Sequence, residues 1–278
     1  MSRRLRKILK KAIPLAALGL GAAAIGRNII TETVEAARNS NIEVLYGDTD
    51  SLFIKSIDQN EIDNLISWSQ KNQGVDLELE AKYRYAVFSE RKKNYIVVKN
   101  DGHVIIKGLT GKKSHIPLFV REAFYEAIEK LGEAKTENDF EKVKTEIRNI
   151  ARESNKQLKE DKVPIEKLAF RMMLSKSTKM YKTTIPQHVR AARLLEEHNR
   201  EKGDIEVMKP GDIISFVKTI GGVKPLELAK IREIDKKKYE EIMKSTFDQL
   251  LGPLGYSFDD ILGVTRLEDL FWSSKTEN

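Results

Sequence analysis

Six residues, Tyr46-Gly47-Asp48-Thr49-Asp50-Ser51, constrain the fold of this 278-residue chain more than any other stretch. They join two β-rich runs, residues 42–46 (IEVLY) and 51–55 (SLFIK). Gly-Asp-Thr-Asp is a turn composition, so the pair reads as a β-hairpin with acids at its tip. Asp48 and Asp50 are two residues apart, which in extended chain points both carboxylates to one side. Crowded carboxylates repel unless a cation neutralises them. Mg2+ suits such a pair, because it takes one or two carboxylates and fills its other positions with water and substrate phosphates. Two such ions activate a hydroxyl and stabilise a pyrophosphate leaving group. The same acids also suit a plain turn, where Asp side chains cap backbone N–H groups. These residues alone leave both readings open. A helix–loop–helix calcium site is excluded: the fifth, sixth and twelfth positions from Asp48 are Leu52, Phe53 and Gln59, where that loop requires Asp or Asn, Gly and Glu.

Charge supplies the second constraint. The formal net charge is +7, yet residues 1–11 alone carry Arg3, Arg4, Arg6, Lys7, Lys10 and Lys11, leaving residues 12–278 at +1. Total charge therefore says little about nucleic acid, and local patches must carry the argument. Residues 82–113 hold nine basic side chains (Lys82, Arg84, Arg91, Lys92, Lys93, Lys99, Lys107, Lys112, Lys113) against Glu90 and Asp101, with Tyr83, Tyr85 and Tyr95 interleaved. Lysines on adjacent strands either line a phosphate-neutralising groove or face solvent. The 92–95 cluster followed by Lys107-Gly108 and Lys112-Lys113 favours the groove. The chain has no cysteine, which excludes disulfides, thiol nucleophiles and thiolate metal sites, and its four histidines show no metal-binding spacing. Any metal here is held by oxygen.

Residues 1–26 differ from the rest: a basic start precedes a 15-residue apolar run from 12 to 26. A membrane span needs about 20 apolar residues, and no polar cleavage region follows. The remaining readings are a structural helix whose apolar half packs on the body, an interfacial helix at a membrane surface, or a leader created by a gene split or misplaced start. Downstream, spacing predicts helices at 27–39, 59–72, 117–131, 138–160 and 186–200, one from 236 ending at Gly252-Pro253, and a strand at 211–219. YIVVKNDGHVIIKG reads as a hairpin turning at Asn100-Asp101-Gly102. The expected fold is α+β: an antiparallel sheet with packed helices over residues 27–116, then a mainly helical part with a small β element over 117–278.

In order along the chain, these motifs resemble family B DNA polymerases of the archaeal replicative type. Tyr46 to Ser51 is similar to that family's palm hairpin, motif C (YxDTDS). Arg91-Lys92-Lys93-Asn94-Tyr95 is similar to its KKxY motif, and Lys107-Gly108 with Lys112-Lys113 to the KG…K segment that follows. Tyr181 and Pro186-Gln187-His188-Val189 resemble the thumb's Y…PxHV element, and GDIISFV at 211–217 the strand beyond. The resemblance implies a palm over 27–116 and a thumb over 117–278. It implies that Asp50 is the essential ligand of a two-ion Mg2+ site, that Asp48 supports it, and that Thr49 and Ser51 shape the turn, with Thr49 beside the nucleotide. Lys92, Lys93 and Tyr95 would meet the primer terminus and minor groove. Lys107, Lys112, Lys113, Tyr181 and His188 would grip the duplex.

The motif A aspartate (SLYPS type), the motif B fingers helix (KxxxNSxYG) and an exonuclease domain are absent. The resemblance therefore implies a C-terminal palm-and-thumb part, inactive alone and docking through an open sheet edge onto a subunit that carries motifs A and B and brings the dNTP. Leu267-Glu268-Asp269-Leu270-Phe271-Trp272 is similar to a sliding-clamp peptide, without its usual Gln; a helix packed on the thumb is the other reading. Cytoplasmic, nucleoid-associated location follows from the same resemblance. Two further functions compete: a non-catalytic duplex-binding remnant, and a membrane-surface protein targeted by residues 1–26.

Overall fold

The computed structural model describes residues 15–20, 26–47, 51–55, 58–89, 93–109, 116–203 and 207–263, with side chains from residue 28 onward. It is a mixed α+β protein with antiparallel sheets, as expected. Two compact units interleave along the chain. The first comprises residues 1–109, 128–146 and 249–256; the second comprises 110–127, 147–248 and 257–278.

The first unit is built on six strands: β1 (Leu15–Leu20), β2 (Val44–Gly47), β3 (Ser51–Lys55), β4 (Leu77–Phe88), β5 (Tyr95–Lys99) and β6 (Val104–Lys107). Their order is β2-β3-β1-β4-β5-β6, every pairing antiparallel. Side-chain alternation gives the sheet two apolar faces. Leu52, Ile54 and Leu77 share one face's core with Ala36, Ala37, Ile62 and Leu65 from helices α1 (Gly26–Asn39) and α2 (Gln59–Gln73). Phe53, Ala86, Phe88 and Val97 form the core of the other. Gln73 joins the two helices, its Nε2 donating to the Ile29 carbonyl at 3.1 Å while its Oε1 accepts from buried Thr33 at 3.1 Å.

A helical reading of residues 12–26 fails for Leu15–Leu20, which lies as a strand between β3 and β4. Leu and Ala runs suit a helix when alone. Here pairing on both sides satisfies the backbone groups of this segment and of both neighbours, and that tertiary gain outweighs propensity. Residues 1–14 and 21–25 lie outside the described residues. Among the described residues, no helix is long and apolar enough to cross a membrane.

The β5–β6 hairpin is anchored at its turn. Arg84 of β4 donates to the carbonyls of Gly132 (3.1 Å), Ala134 (3.0 Å) and Asn100. It thus ties the turn to the end of helix α3 (Leu118–Glu133), where a cation also meets the helix dipole favourably. Glycine is needed there, because a Cβ on Gly132 would stand 2.3 Å from the Gly102 carbonyl oxygen.

The second unit carries a three-stranded antiparallel sheet, β7 (Phe170–Met173), β8 (Ile213–Thr219) and β9 (Gly222–Pro225), in that order. Its helices include α6 (Gln187–Glu201) and most of α4 (Glu137–Lys159) and α7 (Lys236–Leu254); α5 (Ile165–Leu168) and α8 (Phe258–Leu262) are single turns. Tyr239, fully buried, joins helix to sheet: its hydroxyl donates to the Leu168 carbonyl at 2.8 Å and accepts from the Lys218 N–H at 3.1 Å.

Candidate nucleic-acid interface

The face of the first sheet opposite α1 and α2 gathers four rings. Tyr46, the residue before Gly47 at the end of β2, stacks on Phe88 of β4 (5.1 Å, 16°). It meets Tyr95 of β5 at 5.7 Å and the edge of Phe53 of β3 at 5.8 Å. Phe53 in turn meets Phe88 at 5.6 Å and Tyr95 at 5.1 Å. Such edge and offset contacts add to area burial and set ring orientation. The acidic hairpin's two strands and the basic hairpin's first strand therefore share one aromatic core.

That core brings together motifs nearly fifty residues apart. The Tyr46 hydroxyl accepts a hydrogen bond from the Lys93 backbone N–H at 2.9 Å. Lys93 sits at φ 63°, a left-handed conformation that L-residues seldom adopt. Gly108 packs against the same turn; a Cβ there would stand 2.3 Å from the Lys93 carbonyl oxygen and 2.2 Å from Asn94 Oδ1. Tyr95 pairs with Lys107 across β5 and β6. Tyr46, Lys93, Tyr95, Lys107 and Gly108 thus form one neighbourhood, with the side chains of Lys93 and Lys107 exposed. The basic patch is thinner than its charge count implies. Arg84 is committed to three carbonyls, and Lys82 donates to Gln59 Oε1 at 2.7 Å.

Asp48, Thr49, Asp50, Lys92, Lys112, Lys113 and residues 267–272 lie outside the described residues. Along the chain, 48–50 link Gly47 of β2 to Ser51 of β3, and Gly47 pairs with Leu52. Among the described residues, no group of three His, Cys, Asp or Glu side chains could hold a metal ion. The candidate donors are the two carboxylates of Asp48 and Asp50, an oxygen-only set that fits Mg2+.

In the second unit Tyr181 and His188 are held by α6. The Tyr181 hydroxyl lies 2.9 Å from Ser175 Oγ, and Arg193 donates to the carbonyls of Thr178 and Tyr181, both at 2.8 Å. Glu196, only 8% exposed, accepts from Thr178 Oγ1 at 2.9 Å and from the Met208 N–H at 2.9 Å. Pro186 precedes α6 at φ −60°, a start Pro favours, and His188 follows in its first turn. Burial lowers the His188 pKa below the usual imidazole value, which favours the neutral ring.

Sequence reasoning missed a neighbouring cleft of about 560 Å³ between α6 and the β8–β9 hairpin, lined by Arg190, Lys218 and Lys238 with Glu197 and Asp235. Lys218 lies 5.2 Å over the Phe170 ring, and its pKa is lowered by burial and then by Lys238. The Gly221-Gly222 turn after β8 was the available signal for this hairpin.

The sequence model of DNA polymerase family B matches residues 6–261. The chain is 40% identical over 250 residues to DNA polymerase 1 of Saccharolobus solfataricus, covering 89% of this chain and 28% of that protein. It is 35% identical over 253 residues to DNA polymerase 1 of Aeropyrum pernix, covering 90% and 26%. The chain thus spans just over a quarter of the length of these relatives. Among solved structures, the family B DNA polymerase of Pyrobaculum calidifontis shares the fold with a TM-score of 0.60 at 24% identity, over 81% of this chain and 28% of that one.

Proposed function

The chain belongs to DNA polymerase family B, and on that premise we propose that residues 1–278 act as its C-terminal palm-and-thumb part in template-directed DNA synthesis. The observation that carries this is the shared aromatic core beneath the acidic and basic hairpins, joined by the Tyr46–Lys93 hydrogen bond. It aligns two motifs that a polymerase needs side by side, one for the reacting phosphates and one for the primer.

In this reading Asp50, supported by Asp48, holds Mg2+ together with a motif A carboxylate supplied from outside these residues. Bound Mg2+ supplies two-metal nucleotidyl transfer, activating the primer 3′-hydroxyl and stabilising the departing pyrophosphate. Thr49 and Ser51 shape the turn. Lys92, Lys93 and Tyr95 orient the primer end, and Lys107, Lys112 and Lys113 neutralise duplex phosphates. Tyr181 and His188 also contact duplex DNA. The dNTP arrives with the polypeptide that carries motifs A and B, and residues 267–272 reach a sliding clamp. Such a protein works in the cytoplasm on nucleoid DNA.

The test is primer extension with Mg2+, using this chain mixed with a polypeptide carrying motifs A and B. Extension is expected only from the mixture and is lost by a factor of about 10³ or more with Asp50→Ala, since a metal ligand contributes several kcal/mol to the transition state. Equal extension by Asp50→Ala would sink the assignment. Primer–template binding without extension from any mixture would make the chain a non-catalytic duplex-binding module.

A further inference from the structure

We propose that Tyr46 is a positioning residue: its hydroxyl fixes the Lys93 turn against the end of β2, so that the primer contact is held in register with the strand that leads into the acidic motif. This rests on the reading of residues 93–108 as a primer–template contact. Three observations carry it. Phe53, Phe88 and Tyr95 hold the Tyr46 ring at centroid distances of 5.8, 5.1 and 5.7 Å, so the hydroxyl has a set position. Its partner is the Lys93 N–H at 2.9 Å, in an exposed turn where water could serve that donor equally well. Core packing therefore needs only the ring, and the hydroxyl contributes position.

The third observation concerns the turn itself. Lys93 is held at φ 63°, and Gly108 closes on its carbonyl side where any side chain would collide. Tyr46 on the N–H side and Gly108 on the carbonyl side together set the direction in which the Lys93 side chain leaves the backbone. Tyr46 stands two residues before Asp48, and Lys93 two before Tyr95. One hydrogen bond thus joins the two motifs directly.

Tyr46→Phe in the full chain keeps the ring and removes the acceptor. Amide hydrogen exchange at Lys93, the primer–template Kd at fixed salt and the thermal midpoint would be measured for wild type, Tyr46→Phe, Lys93→Ala and the double variant. The expected result is an unchanged midpoint, since water takes the freed donor, with exchange at Lys93 accelerated about fivefold and binding weakened about fivefold as the turn loses its fixed position. Tyr46→Phe should add nothing in the Lys93→Ala background. Gly108→Ala, which displaces the same turn while leaving Tyr46 intact, should weaken binding likewise.

Loss of binding with Lys93→Ala but none with Tyr46→Phe, or additive losses, would overturn the positioning role while leaving the DNA-contact reading standing. Unchanged exchange at Lys93 would overturn the hydrogen bond itself. Absence of primer–template binding by the wild type would overturn the DNA-contact reading and the inference with it.

Discussion

The two units hold their candidate residues by different physics. In the first, Lys93, Tyr95 and Lys107 are placed by four aromatic rings, strand pairing and one hydrogen bond from the Lys93 N–H to the Tyr46 hydroxyl, drawn from strands far apart in sequence. In the second, Tyr181 is placed mainly by polar groups of one helix, Arg193 on two carbonyls and buried Glu196 on Thr178 and Met208, with Ser175 at its hydroxyl. Ring packing is broad and shared, so a lesion in it disturbs several residues together. A buried polar network is local, and a lesion leaves specific donors without partners.

The largest expected effect breaks the first arrangement. Phe88, 7% exposed, touches Tyr46, Phe53 and Tyr95. Phe88→Ala should cost about 3–5 kcal/mol in urea unfolding. Hydrogen exchange should rise at Lys93 and Tyr95 together while protection around Thr178 is kept. A loss confined to β4 would mean the rings do not act as one body. Next in size, Glu196→Ala leaves the Thr178 hydroxyl and the Met208 N–H without their acceptor, at about 2–3 kcal/mol. Exchange should rise around 178–181 and 207–209, and Glu196→Gln, which keeps an acceptor oxygen, should recover most of it. Equal losses for Ala and Gln would assign the effect to charge instead.

This contrast also marks what the sequence could reveal. The acidic hairpin, the Asn100-Asp101-Gly102 turn and the Pro186 helix start were legible because each is written in neighbouring residues. β1 was not, because Leu15–Leu20 suits helix or strand and only its two partners decide. The four-residue strands β7 and β9 are too short for a periodic signal. Arg84 read as part of a phosphate groove, since nothing local reports the carbonyls that occupy it. Glu196 left a usable trace: it follows Val189 by seven and Ala192 by four, on the helix's buried face, where a carboxylate requires donors. The Tyr46–Lys93 bond left none, its ends being 47 residues apart.

The smallest effect sharpens the comparison through pH. His188 belongs to the polar arrangement, and burial lowers its pKa. The unfolded chain, with an imidazole near about 6.5, takes up the proton first on acidification. The stability linked to the neutral ring is therefore fully present above the unfolded value and is lost as pH falls through the lower folded one. His188→Gln should flatten thermal stability across that acid window and leave it unchanged above neutrality. The ring is half exposed, so solvent screening keeps the effect below that of Glu196→Ala. The same variant separates charge from hydrogen bonding in the DNA contact proposed for His188. A neutral donor predicts a salt slope of primer–template binding that is unchanged by His188→Gln at neutral pH, since no counterion-releasing charge is removed. A slope reduced by about one at neutral pH would mean that a bound phosphate restores the proton and that His188 meets DNA as a cation.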